Sequence, residues 1–286
     1  MTRLIHTIAD LRDVLAGRRS ALVPTMGALH EGHLSLVRAA LSEGGPVVVS
    51  IFVNPTQFGP NEDFAKYPRT LDADVAKLAE LGVDIVFAPS AGEVYGPDFA
   101  TWVEVGGVAE PLEGEHRPGH FRGVATVVLK LLNMVGPRVA FFGQKDYQQV
   151  AVVRQMIEQL DVPAEIRACP IVREPDGLAM SSRNRYLTAA ARRRALGLVA
   201  SLRRAEEMLT AGERDVSQIA AQMRQIIRDA EPTDVPIEID YATIRDAQSL
   251  APITRIDTPA VALLAVRVER TRLIDNTLLE PCLHPR

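Results

Sequence analysis

Residues 24–40 read PTMGALHEGHLSLVRAA, and the fold is decided here. The stretch closes an apolar run at 21–25, bends through Gly27 and enters a pattern with the period of a helix, expected over 33–42. A strand that passes through a glycine turn into a helix is the repeating unit of parallel sheets, whose strands need a crossover between them. The same alternation continues outward. Apolar runs at 47–53, 84–88, 138–142 and 164–168 predict further strands, and helical periodicity predicts helices over 71–81, 123–135 and 147–160. Within the 123–135 segment, Val124, Val127, Val128, Leu131, Leu132 and Val135 recur at i, i+3 and i+4, which makes a core stripe rather than a site. The N-terminal part is therefore expected to be an α/β fold, a parallel sheet with helices on both faces.

Beyond Arg185 the texture changes. Two arginine- and alanine-rich helical stretches, 189–211 and 216–230, precede alternating segments at 237–243 and 260–270, the pattern of a smaller α+β domain. The turn Pro175-Asp176-Gly177 marks the junction, giving expected domains over 1–175 and 176–286. With 286 residues, 47% of them hydrophobic, the chain can bury a substantial core. Lysine and arginine number 32 against 36 acidic residues, a formal charge of −4, so a general electrostatic grip on nucleic acid is not expected. Cys169 and Cys282 have neither metal-ligand spacing nor the numbers for a disulfide framework, and the opening MTRLIHTIADLRDV lacks the apolar core of a signal peptide. No run approaches the ~20 apolar residues of a membrane span. These features together predict a cytoplasmic enzyme acting on small molecules.

Four segments carry the chemistry. In the first, His30 and His33 stand where the helix begins, beside the unpaired N–H groups that attract phosphate at helix starts. Imidazoles there add donors that can be charged or neutral near pH 7. Alone, His-x-Gly-His reads equally as a polar helix cap, and no third ligand suggests a metal site. In the second, SIFVNPTQFGPNEDFAKYPRT, Asn54 and Gln57 leave the next strand on a turn set by Pro55. Neutral amides suit a hydroxyl or carboxylate ligand without the desolvation cost of a buried charge. In the third, FFGQKDYQQV, Gly143 ends a strand and Lys145, Asp146 and Gln149 enter the next helix, where the lysine can meet a phosphate as a point charge. In the fourth, GLAMSSRNRYL, the hydroxyls of Ser181 and Ser182 beside Arg183 suit a pyrophosphate, although the same residues also read as a helix cap and a surface arginine.

The order PTMGALHEGHLSL, IFVNPTQF, YPRT, RPGHFRGV, GQKDYQQ and MSSRN resembles the pantothenate synthetases across at least residues 20–190. The first and last of these also resemble the paired ATP motifs of class I aminoacyl-tRNA synthetases and nucleotidylyltransferases. The resemblance implies a Rossmann-like N-terminal domain, a C-terminal domain acting as a lid, magnesium dependence and a homodimer. It implies ATP-dependent condensation of pantoate with β-alanine through a pantoyl adenylate, with no nucleic-acid or membrane partner. His30, His33 and Lys145 are then the groups that stabilise the phosphoryl transition state, His33 also donating a proton. The ATP site is carried over onto Met26, Gly27, Ala28 and Leu29, continuing through His30, Glu31, Gly32 and His33. Gly143, Gln144, Lys145 and Asp146 follow, with Val172, Met180, Ser181, Ser182 and Arg183. Gln57 and Gln149 are the expected pantoate clamp, Gln57 also lying near β-alanine, with Asn54 as a helper. Arg117 and His120 would belong to a loop over the site. Asp74 could help hold magnesium, or stand as a solvated aspartate at a helix start. A nucleotidylyltransferase acting on a phosphorylated acceptor shares the histidine motif but explains the glutamines and MSSRN less well. A tRNA synthetase fits a short acidic chain poorly, and a ligand-binding module would bind nucleotide without turning it over.

Overall fold

The computed structural model describes residues 1–60 and 64–281, so Cys282 lies outside the described residues. Contacts divide the chain into two compact units: Met1–Gln144 with Gln148–Pro170, and Lys145–Tyr147 with Ile171 onward. The second unit starts at Ile171 rather than at 176 because the segment after Pro170 is bonded into it. Met180 N–H donates to Val172 O at 2.9 Å, and Arg173 donates to Asp275 at 2.7 Å.

The first unit begins with β1 (Arg3–Ile5) and α1 (Ile8–Leu15), then β2 (Ala21–Thr25), α2 (Glu31–Leu41) and β3 (Val47–Ile51). It continues through α3 (Leu71–Glu80), β4 (Ile85–Phe87), α4 (Ala91–Tyr95), α5 (Glu113–His116) and α6 (His120–Val135). β5 (Val139–Gly143), α7 (Tyr147–Gln159), whose first residue groups with the second unit, and β6 (Glu165–Cys169) complete it. The strands form a parallel sheet in the order β1-β4-β3-β2-β5-β6. From β2 onward this is the doubly wound order, which reverses direction between β2 and β5. Val23, Val49, Val86 and Phe141 pack on one face against Leu36 and Val37 of α2 and Leu78 of α3. Side chains alternate along a strand. The alternate residues Leu22, Val48, Ile85 and Ala140 are each at most 2% exposed, with α6 lying against β2, so the other face is covered too.

The ladder between β2 and β5 stops at Leu22–Ala140, whereas β2 and β3 stay paired to Thr25–Ile51. Pro24 lies past the point where the β2–β5 ladder ends, so a residue that cannot donate to a ladder is tolerated in a central strand. The two strands thus part at their carboxyl ends, where the order reverses.

The second unit holds α8 (Ala189–Thr210), α9 (Val216–Asp229) and an antiparallel sheet of β7 (Ile237–Asp246), β8 (Ala260–Val268) and β9 (Thr271–Leu279), in that order. Leu198, Leu202, Ile219, Met223 and Ile227 of the helices share a core with Ala242, Ile244, Ala262, Leu264 and Val266 of the sheet.

The main elements expected from periodicity are present, with ends shifted by a few residues. α2 starts at Glu31 rather than 33, and α6 at His120 rather than 123. β1 and α1 were not expected: a three-residue edge strand carries too few positions to show a period. β9 was not expected either: the segment read at 260–270 covers β8 and ends where β9 begins. No helix among the described residues is long and apolar enough to cross a membrane.

Candidate functional site

The turn after β2 is held in a shape that only part of its sequence prefers. Gly27 has φ +82° and Ala28 has φ +51°, both in the left-handed region. A Cβ at position 27 would lie 3.1 Å from the Ile51 side chain and 3.2 Å from Asp74 Oδ2, so a side chain there would be crowded as well as strained by the positive φ. Ala28 has no such freedom, and something must hold it there. That something is Asp74 of α3. Fully buried, it accepts from Ala28 N–H at 2.8 Å, from Leu29 N–H at 2.9 Å and from Thr70 Oγ1 at 2.9 Å. One helical turn on, Lys77 Nζ donates to Leu29 O at 2.7 Å. The carboxylate thus grips the turn by its N–H groups and the ammonium by its carbonyl. The expectation that Asp74 holds magnesium, or sits solvated at a helix start, is not supported: its oxygens are engaged by the turn and water does not reach it.

The turn delivers His30 to the N-cap of α2 and His33 to its third position. Their ring centroids lie 4.1 Å apart. His33 Nδ1 accepts from the His30 backbone N–H at 3.4 Å. In a neutral His33 ring the proton then resides on Nε2, so the far edge of the imidazole is a donor. Glu31 points elsewhere: it pairs with Arg38, whose guanidinium holds its carboxyl below the ordinary carboxylate range. Any ligand contact at position 31 would come from the backbone.

The turn after β3 lies beside this one. Gln57 Nε2 donates to Met26 Sδ at 3.4 Å, and Asn54 Nδ2 donates to Gln57 Oε1 at 3.1 Å and to Gly123 O at 3.2 Å. Asn54 is 1% exposed, and its Oδ1 accepts from Thr56 Oγ1 at 3.0 Å and from Tyr95 Oη at 2.6 Å. Burial pushes the Tyr95 phenol up from its ordinary value, against the opposing pull of its bonds to Thr56 and Asn54, so it stays a neutral donor. By donating to Oε1, Asn54 fixes the Gln57 amide with its nitrogen toward Met26. α6 seals the turn from behind, for a Cβ at Gly123 would stand 2.3 Å from Thr56 O.

Arg117 and His120 join the same support. His120, 8% exposed, bonds through Nδ1 to Gln57 O at 2.9 Å, and Arg117 Nη1 meets its Nε2 at 2.9 Å. Arg117 lies 3.7 Å from the Glu113 carboxylate. A carbonyl accepts and a guanidinium donates, so this His120 carries its proton on Nδ1. Together they brace the turn that carries Gln57.

Gln149 is half-buried on α7. Its neighbour Gln148 is the structural one of the pair, accepting from Glu113 N–H at 3.0 Å and donating to Val108 O at 2.8 Å and Pro111 O at 2.6 Å. Gly143 ends β5 and Gln144 opens a 3-10 turn. In the second unit the Lys145 side chain is 20% exposed, with Nζ 3.9 Å from Asp146 Oδ1. Ser181 caps the 3-10 turn Ser182–Tyr186, its Oγ accepting from Arg183 N–H at 3.3 Å, as the capping alternative anticipated. The residues that sequence reasoning missed are Tyr95, Thr70 and Lys77. Thr70, the last residue of YPRT, stands at the N-cap of α3 and is the one with a local signal; Tyr95 and Lys77 bond to Asn54 and to the Leu29 carbonyl, 41 and 48 residues away in the chain.

Known proteins resemble this chain along nearly its whole length. The pantoate-beta-alanine ligase family model matches residues 3–278. A pantothenate synthetase of Roseiflexus castenholzii is 54% identical over 280 residues, covering 97% of this chain and 99% of that protein. One from Moorella thermoacetica is 51% identical over 282 residues, covering 97% and 98%. The crystal structure of pantothenate synthetase from Thermus thermophilus matches with a TM-score of 0.93 at 44% identity, covering 98% of this chain and 100% of that one. A pantoate-beta-alanine ligase from Francisella tularensis, complexed with beta-gamma ATP and beta-alanine, matches with a TM-score of 0.79 at 33% identity over 97% of this chain and 98% of its own. The motifs, the strand order and this likeness across nearly the full chain agree: the protein belongs to the pantoate-beta-alanine ligase family.

Proposed function

We propose that this protein joins pantoate to β-alanine at the expense of ATP, giving pantothenate, AMP and pyrophosphate through a bound pantoyl adenylate. The observation that carries the reading is the His30–His33 pair, held at a helix start beyond the carboxyl end of β2, where the strand order reverses. Ligands of open α/β sheets bind at such a reversal, and anions favour helix starts.

In the first step the pantoate carboxylate attacks the α-phosphorus of ATP and pyrophosphate leaves in line. In the second the amine of β-alanine attacks the acyl carbon and AMP departs. Negative charge builds on phosphoryl oxygens during the first step, so donors already in place supply most of the acceleration. His33, with an N–H on Nε2, suits the role of hydrogen-bond donor to the phosphoryl oxygens, the family resemblance gives it that of proton donor, and His30 and Lys145 complete the set. Met26 through His33, Gly143 through Asp146, Val172 and Met180 through Arg183 are the proposed ATP contacts. Gln57 and Gln149 hold pantoate. The Gln57 amide nitrogen spends a bond on a thioether, a weak acceptor that a carboxylate or hydroxyl oxygen readily displaces.

Magnesium fits this scheme as a companion of the ATP phosphates, since it keeps several waters and needs few protein ligands. Among the described residues no group of three or more His, Cys, Asp or Glu gathers to hold a metal. Homodimeric assembly, the lid role of the C-terminal domain and a cytoplasmic location belong to the same proposal and rest on the family resemblance.

Alanine at Gln57 or Gln149 is expected to weaken pantoate binding far more than ATP binding. A hydrogen bond to a charged group contributes roughly 1.5–3 kcal/mol, so the loss should be about ten- to hundred-fold. Calorimetry with each ligand separates the two. Unchanged pantoate affinity, or an equal loss for ATP, would remove these residues from the clamp.

The reaction itself is tested by pantoate-dependent exchange of labelled pyrophosphate into ATP, with magnesium and without β-alanine. An enzyme that forms a reversible adenylate must catalyse this exchange, and adding β-alanine should then release AMP. A nucleotidylyltransferase would stay silent without its own phosphorylated acceptor. Folded protein that shows neither exchange nor AMP release overturns the proposal.

A further inference from the structure

Chain order places Lys145 between β5 and α7, but its contacts place residues 145–147 with the second unit. Two side-chain bonds hold the segment there. Asn276 Nδ2 donates to Lys145 O at 2.9 Å, and Tyr147 Oη donates to Ala247 O at 2.7 Å. Asn276 lies in β9 and is 1% exposed. A buried amide is costly unless its groups are bonded, so it is a demanding way to secure one main-chain carbonyl unless the position of that carbonyl matters.

The residue before it serves a second segment. Asp275, 2% exposed, accepts from Arg173 Nη1 at 2.7 Å and Nη2 at 3.1 Å, and Arg173 Nη1 also donates to Gly177 O at 3.1 Å. A forked arginine–carboxylate pair fixes direction as well as distance. Arg173 is bridged to Ala179, and Met180 N–H donates to Val172 O at 2.9 Å, so the pair braces the strip that leads into Ser181–Arg183. Consecutive positions of β9, paired with Leu264 and Leu263 of β8, thus hold the proposed lysine and the proposed pyrophosphate clamp in one frame.

We propose that Asn276 is a positioning residue for Lys145, and that Asp275–Asn276 sets the lysine and the Val172–Arg183 segment as a single template for the phosphates of ATP. This gives the C-terminal sheet a part in the chemistry, and it rests on the reading of Lys145 as a transition-state donor. A charge displaced by about 1 Å from its productive position can cost a hundred-fold in rate. Asn276 need not touch substrate to have that effect.

The test is single-turnover adenylate formation in wild type, Asn276→Ala, Lys145→Ala and the double variant, with pantoate affinity and thermal unfolding measured alongside. Asn276→Ala should slow adenylation by roughly ten- to hundred-fold while pantoate affinity stays at the wild-type value. In the Lys145→Ala background it should cost nothing further, because no ammonium remains to be placed. A role in stability alone would lower both backgrounds by the same factor, since independent effects add. Should Asn276→Ala fold poorly, Asn276→Asp keeps the size of the side chain but sets an acceptor against the Lys145 carbonyl, and the same cycle applies. A wild-type rate in a folded Asn276 variant, or equal losses in both backgrounds, overturns the inference while leaving Lys145 in its role. A wild-type rate in Lys145→Ala instead removes the reading on which the inference rests.

Discussion

Alanine at His33, or at Lys145, is expected to lower the rate of adenylate formation by about two to three powers of ten, the usual cost of losing one donor already aimed at a transition state. Both side chains can be removed without opening the core. His33 is half-buried on the first turn of α2, and Lys145 is 20% exposed beyond β5. Circular dichroism and the unfolding midpoint should therefore stay close to wild type. The two variants should differ in one respect. Removing His33 also removes the acceptor that receives the His30 N–H, so His30 loosens with it. Lys145→Ala leaves the histidine pair intact. Single-turnover kinetics with pantoate and ATP make the measurement, and near-normal adenylation in either folded variant would take that residue out of the chemistry.

Asp74→Ala should do comparable damage from outside the chemistry. The substitution leaves the buried N–H groups of Ala28 and Leu29 without acceptors, at about 1–3 kcal/mol for each orphaned donor. It also releases Ala28 from a left-handed conformation that its own side chain does not favour. The turn should relax and carry His30 and His33 with it. We expect adenylation to fall by about a hundred-fold, together with a lowered unfolding midpoint. Asp74→Asn is the sharper variant, because it replaces one carboxylate oxygen with an NH₂ group. An amide can still accept at one position but sets a donor against the second N–H, so it should rescue little of the loss. A folded Asp74→Asn protein with wild-type adenylation would show that the carboxylate does not hold the turn.

Much of this was legible in the chain itself. Apolar runs alternating with helical periodicity indicated a parallel sheet, and the sheet is there, with β2 spanning the expected residues. Helix starts and stops were readable to within a few residues because caps and turns are local. Glycine beyond a strand, proline after Asn54 and the Pro175-Asp176-Gly177 turn each act through their own backbone. The motif segments, read in order, were enough to indicate the family.

What escaped the sequence is the work done between distant segments. Asp74 read as a metal ligand or a solvated aspartate because its neighbours in the chain, Ala73 and Val75, say nothing of Ala28 and Leu29, 46 and 45 residues away. Asn54 read as a helper of the pantoate clamp, and what the chain did not show is that a bond to Gly123 across 69 residues and a buried tyrosine fix it beside Gln57. Lys145 read as part of the N-terminal domain, and a bond spanning 131 residues ties it to β9. Period, turn type and helix capping depend on interactions within a few residues, so most of the elements and the order of the motifs could be read along the chain. Which carboxylate meets which N–H depends on where the packed sheet brings its loops. The packing of the sheet thus makes Asp74 the support of the turn before α2, a pairing that no stretch of local sequence encodes.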